Sequence, residues 1–153
     1  MSIHEPSPSV WTSRMLALYR IVAGVLFLLG GTMKLFGFPQ APVPMPPLDL
    51  LSQVGIGGML ELVGGAAIVL GLYVRPVSLV LAGMMAVAYF QFHQPQAFFP
   101  SSNGGIPAIM FCFLFLYLML AGGGAWSLDG RLAARARGAS PARPAGVARR
   151  QAA

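Results

Sequence analysis

Four apolar runs, separated by segments rich in proline or glycine, dominate the chain. They cover residues 15–36, 50–73, 77–92 and 106–121. A helix needs about 20 apolar residues to cross a bilayer. The first two runs reach that length, and the other two approach it. The pattern therefore predicts an all-α integral membrane protein, built as a bundle of four membrane-spanning helices.

The polar segments outside these runs are predicted to be loops and tails. Residues 1–13 read as an N-terminal tail, and residues 37–49 carry five prolines, which cannot continue a helix. From Ala125 onward the chain is rich in alanine, arginine, proline and glycine, a composition that favours disorder. Residues 131–153 are accordingly predicted to form a disordered basic tail.

A cleaved signal peptide is the competing interpretation of the first run. A signal core has roughly 7–15 apolar residues and is followed by a small-x-small cleavage site. The run over residues 15–36 is longer, and no such site follows it. We therefore expect the first run to remain as a membrane span.

Charge separates this chain from soluble and nucleic-acid-binding proteins. Only 9% of its residues are charged, against about 25% in soluble domains. The net charge is +6, but the basic residues flank apolar runs, which indicates a bilayer and not a nucleic acid as the partner. The single cysteine, Cys112, excludes an intrachain disulfide, and between two phenylalanines its thiol is expected to be inert.

The distribution of basic residues predicts an orientation. Four spans place both termini on one side, and five arginines near span ends lie there: Arg14, Arg75, Arg131, Arg135 and Arg137. The positive-inside rule then puts both termini in the cytoplasm. Four aromatic residues fall at the same interface, as an aromatic belt requires: Trp11, Tyr19, Tyr73 and Trp126.

One helical stripe of the first run begins and ends with a cation. It consists of Arg20, Gly24, Phe27, Gly31 and Lys34, whose offsets return to nearly the same angle at about 100° per residue. Glu61 is the only acid within any apolar run. Because a charge inside a membrane is costly without a partner, we expect Glu61 to pair with Arg20, Lys34 or both.

This predicted charged cluster has two open interpretations. It could bind a quinone head group or pass a proton, or it could be an ion pair that fixes two helices in register. Arg20 lies deeper than Glu61 and Lys34 shallower, each by about 10 Å along the bilayer normal. The glycine-rich second run is expected to pack closely against its neighbours.

Two further candidates, His93 and Asn103, lie near the outer ends of the third and fourth runs. They could form the mouth of a site, although a solvated interfacial histidine is the ordinary alternative. Methionines occur in all four runs, which is typical of packing and not of a soft-metal site. The sequence contains no haem, iron–sulfur or dinucleotide motif, so we expect no metal and no covalently bound cofactor.

Several short motifs occur in a fixed order over about residues 14–130. They are R-x-x-x-G from Arg20, G-G-x-x-K ending at Lys34, E-x-x-G-G from Glu61, G-L-x-x-R ending at Arg75, Asn103-Gly104-Gly105, and Ser127-Leu128-Asp129. This ordered set resembles the DoxX family of small bacterial inner-membrane proteins. The resemblance implies a four-helix membrane domain over residues 14–130.

The resemblance also implies a function. The chain would be a membrane subunit of a quinone-linked redox system related to thiosulfate or other sulfur compounds. Quinone would then be its cofactor, with Glu61, Arg20, Lys34, His93 and Asn103 as candidate binding residues. A redox partner protein and oligomers are compatible with this assignment. The alternatives are a non-catalytic scaffold for redox and thiol-stress enzymes, or a small transporter. Family members often carry an acid after Asn-Gly-Gly, where this chain has Ile106.

Overall fold

The computed structural model describes residues 10–41 and 47–138, and over these ranges it contains helices and no strand. The helices are α1 (Val10–Phe36), α2 (Gln53–Leu70), α3 (Val74–Ala88), α4 (Ile106–Ala121) and α5 (Leu128–Gly138). A π-helix, Tyr89–His93, continues α3. The predicted all-α bundle is confirmed. The predicted tails over residues 1–9 and 139–153, and loop residues 42–46, lie outside the described residues.

The first four helices correspond to the four predicted spans, with shifted ends. Helix α1 begins at Val10, not at residue 15, and α2 is shorter than the predicted 50–73. Capping explains the shorter α2. The Ser52 hydroxyl accepts a hydrogen bond from the Gly55 amide, and Gly71 ends the helix in the left-handed conformation, with φ of 69°, which glycine adopts without strain.

The predicted disorder from Ala125 onward is wrong for residues 128–138, which form α5. The Ser127 hydroxyl accepts a hydrogen bond from the Gly130 amide at 3.2 Å and so caps the helix N-terminus. The following alanines and arginines are strong helix formers. Disorder was predicted from the overall composition of this segment. The same alanines and arginines that gave it that composition favour a helix locally.

Helices α1 and α2 form an antiparallel hairpin whose backbones touch. A Cβ atom on Gly31 would lie 2.5 Å from the Leu62 amide nitrogen, and one on Gly65 would lie 2.7 Å from the Leu28 amide nitrogen. Only glycine allows this approach, which is how small residues join helices in membranes. The expected close packing of the second run is therefore confirmed.

Helices α3 and α4 form a second hairpin, and an aromatic cluster connects the two hairpins. The Phe27 ring of α1 packs edge-on against Phe111 and Phe115 of α4, with ring centroids 4.9 and 4.6 Å apart. The buried core continues through Ile68 and Leu81. The bundle has two ends, which we call the loop face and the terminal face. The loop face holds the end of α1, the start of α2 and the π-helix, and the terminal face holds the start of α1, the α2–α3 turn and α5.

Asp129 fastens the start of α5 to the α2–α3 turn. Its carboxylate accepts hydrogen bonds from the Tyr73 and Val74 amides at 2.8 and 2.9 Å, and its own amide donates to the Gly71 carbonyl at 3.0 Å. The first amides of α3 lack intrahelical partners. Asp129 therefore supplies the cap that α3 does not receive from its own preceding residue.

Removing this cap should weaken the terminal face measurably. We expect Asp129→Ala to lower the free energy of unfolding by about 1 kcal/mol, the usual contribution of a helix cap. Denaturation of the purified protein in detergent, followed by circular dichroism, measures the change. Arg135→Gln on the exposed side of α5 is the control and should leave the unfolding free energy unchanged. Equal stability of the Asp129→Ala and native proteins would show that the cap contributes nothing.

Candidate functional site

The predicted intramembrane ion pair forms between Lys34 and Glu61. The Lys34 Nζ atom lies 2.5 Å from both carboxylate oxygens of Glu61. The Glu61 side chain is 8% exposed and that of Lys34 is 30% exposed. A Cβ atom on Gly30 would lie 3.0 Å from the Glu61 carboxylate. The absence of a side chain at Gly30 therefore makes room for the pair against α1.

Arg20 does not contact Glu61, so of the predicted alternatives only the pair with Lys34 forms. It lies fourteen residues before Lys34, about 21 Å along the helix, so one carboxylate cannot serve both cations. The fully buried Arg20 side chain instead donates hydrogen bonds to backbone carbonyls. Their acceptors are Ile68, Val69 at 2.7 Å, Gly123 at 2.9 Å and Trp126 at 3.4 Å.

These bonds give Arg20 a structural position. Ile68 and Val69 lie in the last turn of α2, where the helix dipole is negative and the final carbonyls need donors from outside the helix. The Ile68 carbonyl also accepts a hydrogen bond from the Gly71 amide at 3.1 Å. The same guanidinium reaches the segment between α4 and α5. Arg20 therefore ties three parts of the terminal face together and lies outside the candidate site.

A cavity of about 780 Å³ opens beside the Lys34–Glu61 pair. Its polar lining consists of Lys34, Gln53, Glu61, Gln91 and His93. The rest is apolar and includes Leu26, Phe27, Leu60, Met84, Met85 and Phe111. Most of these polar residues belong to the helix ends at the loop face. The arrangement therefore suits an amphiphile whose polar head lies toward the loop face.

Sequence reasoning found three of the five polar residues of the cavity and missed Gln53 and Gln91. Gln91 had a visible signal, because it is a polar residue inside the third apolar run. Gln53 had none, because it stands at the start of a helix, where polar residues are common. Both are brought to the cavity only by the packing of α2 against α3, which the π-helix continues.

His93 and Asn103 are adjacent but have different surroundings. The His93 Nδ1 atom lies 3.0 Å from the Asn103 backbone carbonyl, and His93 lines the cavity. The buried Asn103 side chain donates to the Ala97 carbonyl at 2.8 Å and accepts from the Gly105 amide at 2.8 Å. Asn103 therefore holds the loop that positions His93 and does not itself line the cavity.

The π-helical turn helps to present these groups. One turn, Tyr89–His93, is wound with an extra residue, and the Gln94 amide donates to the Tyr89 carbonyl at 2.9 Å. Such turns alter which side chains face inward and often occur at functional sites. Gln91 and His93, both in this turn, line the cavity. A carboxylate, an ammonium and an imidazole are thus gathered at one end of an apolar space.

The outer surface of the bundle is apolar. Val63 and Leu120 are 70% and 71% exposed, and both lie within apolar helices. Three helical segments, Val10–Phe36, Gln53–Leu70 and Val74–His93, are long and apolar enough to cross a membrane, and Ile106–Ala121 is a shorter apolar helix. These features define a small multi-pass helical membrane protein with an amphiphilic cavity.

Comparison with known proteins identifies the family. The family model DoxX matches residues 15–94. Over 119 residues the chain is 36% identical to an uncharacterized protein of Haemophilus influenzae. The matched segment covers 76% of this chain and 89% of that relative. The protein belongs to the DoxX family and is a multi-pass bacterial membrane protein. No solved structure matches the chain.

Proposed function

We propose that the protein is a membrane subunit of a quinone-linked redox system and that the cavity beside Glu61 holds the quinone head group. The observation that carries this proposal is the Lys34–Glu61 pair opening on an otherwise apolar space of about 780 Å³. Small-molecule sites are typically apolar cavities of about 300–1,000 Å³ with a few convergent polar groups. A planar, weakly polar ring carrying an apolar chain matches that description.

Three polar residues of the cavity could each serve a different role in the reduction of a bound quinone. Reduction of a quinone to a quinol consumes two electrons and two protons. With a quinone bound, the Lys34 ammonium would donate a hydrogen bond to one quinone oxygen and would stabilise negative charge on it. Glu61 and His93 are acid–base groups that can pass protons to the two oxygens. The electrons come from a redox partner protein that oxidises a sulfur compound, the substrate class that the family resemblance implies.

The arginines of the terminal face support the orientation that accompanies this function. The exposed Arg14, Arg75 and Arg131 lie on the same face of the bundle as α5. Under the positive-inside rule this face is cytoplasmic, in the bacterial inner membrane. The quinone head would then lie in the outer half of the bilayer. A soluble electron donor on the cytoplasmic side would therefore need a path for electrons across the bundle.

Quinone binding tests the proposal. Decylubiquinone, titrated into the purified protein in detergent, should bind to the native chain. Glu61→Gln should weaken binding about tenfold or more, because a hydrogen bond involving a charged group contributes about 1.5–3 kcal/mol. Asp49→Asn is the matched control, since the Asp49 carboxylate accepts a hydrogen bond from the Leu51 amide and does not line the cavity.

The double variant Glu61→Gln, Lys34→Met separates binding from folding, because it removes both charges of the pair and leaves neither one buried without its partner. A folded double variant that binds decylubiquinone like the native chain would contradict a binding role for the pair. A native protein that binds no quinone but co-purifies with soluble redox enzymes would favour the scaffold. Flux of a solute into liposomes without quinone binding would favour the transporter.

A further inference from the structure

A second cavity, about 820 Å³ in volume, lies between α1 and α4 toward the terminal face. We call it the α1–α4 groove, and its lining includes Trp11, Met15, Tyr19, Val22, Phe113 and Tyr117. Along α1 it extends from Trp11 to Leu26, about 22 Å at 1.5 Å per residue. One bilayer leaflet contributes about 15 Å of hydrocarbon. The groove is therefore long enough to hold an acyl chain over the full depth of a leaflet.

The groove is distinct from the cavity beside Glu61. Leu26 and Phe111 line both spaces and stand between them. The acid–base groups that distinguish the first cavity, Lys34, Glu61 and His93, are not part of the groove lining. Apart from Thr12 and the polar atoms of Trp11, Tyr19 and Tyr117, the groove lining is apolar, so it suits an occupant whose buried part is a hydrocarbon.

The rim of the groove at the terminal face is positively charged. The exposed Arg14 guanidinium lies over the Trp11 ring, 5.2 Å from its centroid. Within residues 10–41 and 47–138, no carboxylate forms an ion pair with Arg14. Asp129, the described acid of the terminal face, caps α3 instead. An anionic group is thus the complement of this rim.

We propose that the α1–α4 groove binds an anionic phospholipid, with the phosphate at Arg14 and one acyl chain along α1. The aromatic residues Trp11, Tyr19 and Tyr117 contribute rings to the groove, and such rings favour the level of lipid head groups. A second copy of the chain fits less well. An isologous contact across the groove would bring two equally basic rims together. The proposal does not depend on quinone binding.

Fluorescence quenching by brominated lipid tests this proposal directly, because Trp11 lines the groove and the chain has only two tryptophans. Trp126→Phe removes the other one. The full-length variant is reconstituted into phosphatidylcholine vesicles that contain a small, equal mole fraction of either brominated phosphatidylglycerol or brominated phosphatidylcholine. Both lipids are brominated near the carbonyl end of the chain. Quenching at Trp11 then reports which lipid occupies the groove.

We expect phosphatidylglycerol to occupy the groove about fivefold more favourably than phosphatidylcholine, the preference that one arginine near a membrane surface provides. Adding Arg14→Gln should abolish the preference and leave quenching by phosphatidylcholine unchanged. Adding Arg75→Gln, an exposed arginine of the same face outside the groove, should preserve it. Equal quenching by the two lipids, a preference that survives Arg14→Gln, or no quenching because a second copy covers the groove would each overturn the proposal.

Discussion

Replacing Arg20 by methionine is expected to lower the free energy of unfolding by about 3 kcal/mol or more. The guanidinium is fully buried and donates to carbonyls of α2 and of the α4–α5 segment. Methionine fills part of the space but removes the side-chain donor from the partly buried Val69 and Gly123 carbonyls, each at a cost of about 1–3 kcal/mol. This loss would be a large fraction of the 5–15 kcal/mol that stabilises a typical folded protein.

Two further variants make the Arg20 prediction specific. Arg20→Lys keeps the charge but loses the planar fork that reaches several acceptors at once, so its stability should fall between those of the native and methionine proteins. Arg14→Gln removes an exposed arginine six positions earlier and should cost little. Unfolding in detergent, followed by circular dichroism, gives all three values. An Arg20→Met protein as stable as Arg14→Gln would show that the buried hydrogen bonds are dispensable.

Replacing Gly31 by valine is expected to force α1 and α2 apart. Even the first added carbon would lie 2.5 Å from the Leu62 amide nitrogen and 2.8 Å from the Gly58 carbonyl oxygen, and backbone atoms cannot rotate aside as a side chain can. Overpacking of this kind usually costs about 1–3 kcal/mol, and the rigid contact places Gly31→Val at the upper end. The gain in helix propensity over glycine is only a few tenths of a kcal/mol.

Gly83→Ala is the matched control for Gly31→Val, because a Cβ atom at Gly83 would meet nothing within 4 Å. It should leave the free energy of unfolding unchanged or raise it by up to about 1 kcal/mol, the helix-propensity difference between glycine and alanine. The same detergent unfolding experiment compares both variants. If Gly31→Val unfolds like the native protein, the helices tolerate separation and the close contact does not hold the hairpin together.

The Gly31 substitution also connects packing with the proposed site. Lys34 lies less than one turn beyond Gly31 on α1, and Glu61 neighbours Leu62 on α2. A shift between the two backbones at Gly31 would therefore change the distance between the Lys34 ammonium and the Glu61 carboxylate. We expect a Gly31→Val protein that still folds to bind decylubiquinone more weakly than the native chain does.

Much of the fold follows from local features of the chain. Four apolar runs predicted four helices because burial in lipid requires a helical backbone and about 20 apolar residues. Helix ends were less predictable. Helix α5 was missed because an alanine- and arginine-rich segment resembles a disordered tail in composition, and its capping by Ser127 depends on one hydroxyl in the right place.

The site was predicted in part. The isolated acid at Glu61 required a cationic partner, and the stripe on the first run offered Arg20 and Lys34. Spacing alone could not choose between them, because each lies about 10 Å from Glu61 along the bilayer normal. The register of α1 against α2, set by contacts such as Gly31 with Leu62, brings Lys34 to the carboxylate and carries Arg20 to the end of α2.

The sequence by itself determined that this is a helical membrane protein with a charged pair inside it, because hydropathy, periodicity and isolated charges are properties of each segment alone. The tertiary structure decided that Lys34 pairs with Glu61 and that Arg20 caps α2. It also decided that Gln53 and Gln91 share a cavity with the Lys34–Glu61 pair. These outcomes depend on distances between helices, which are set by backbone packing at a few glycines and by no single segment.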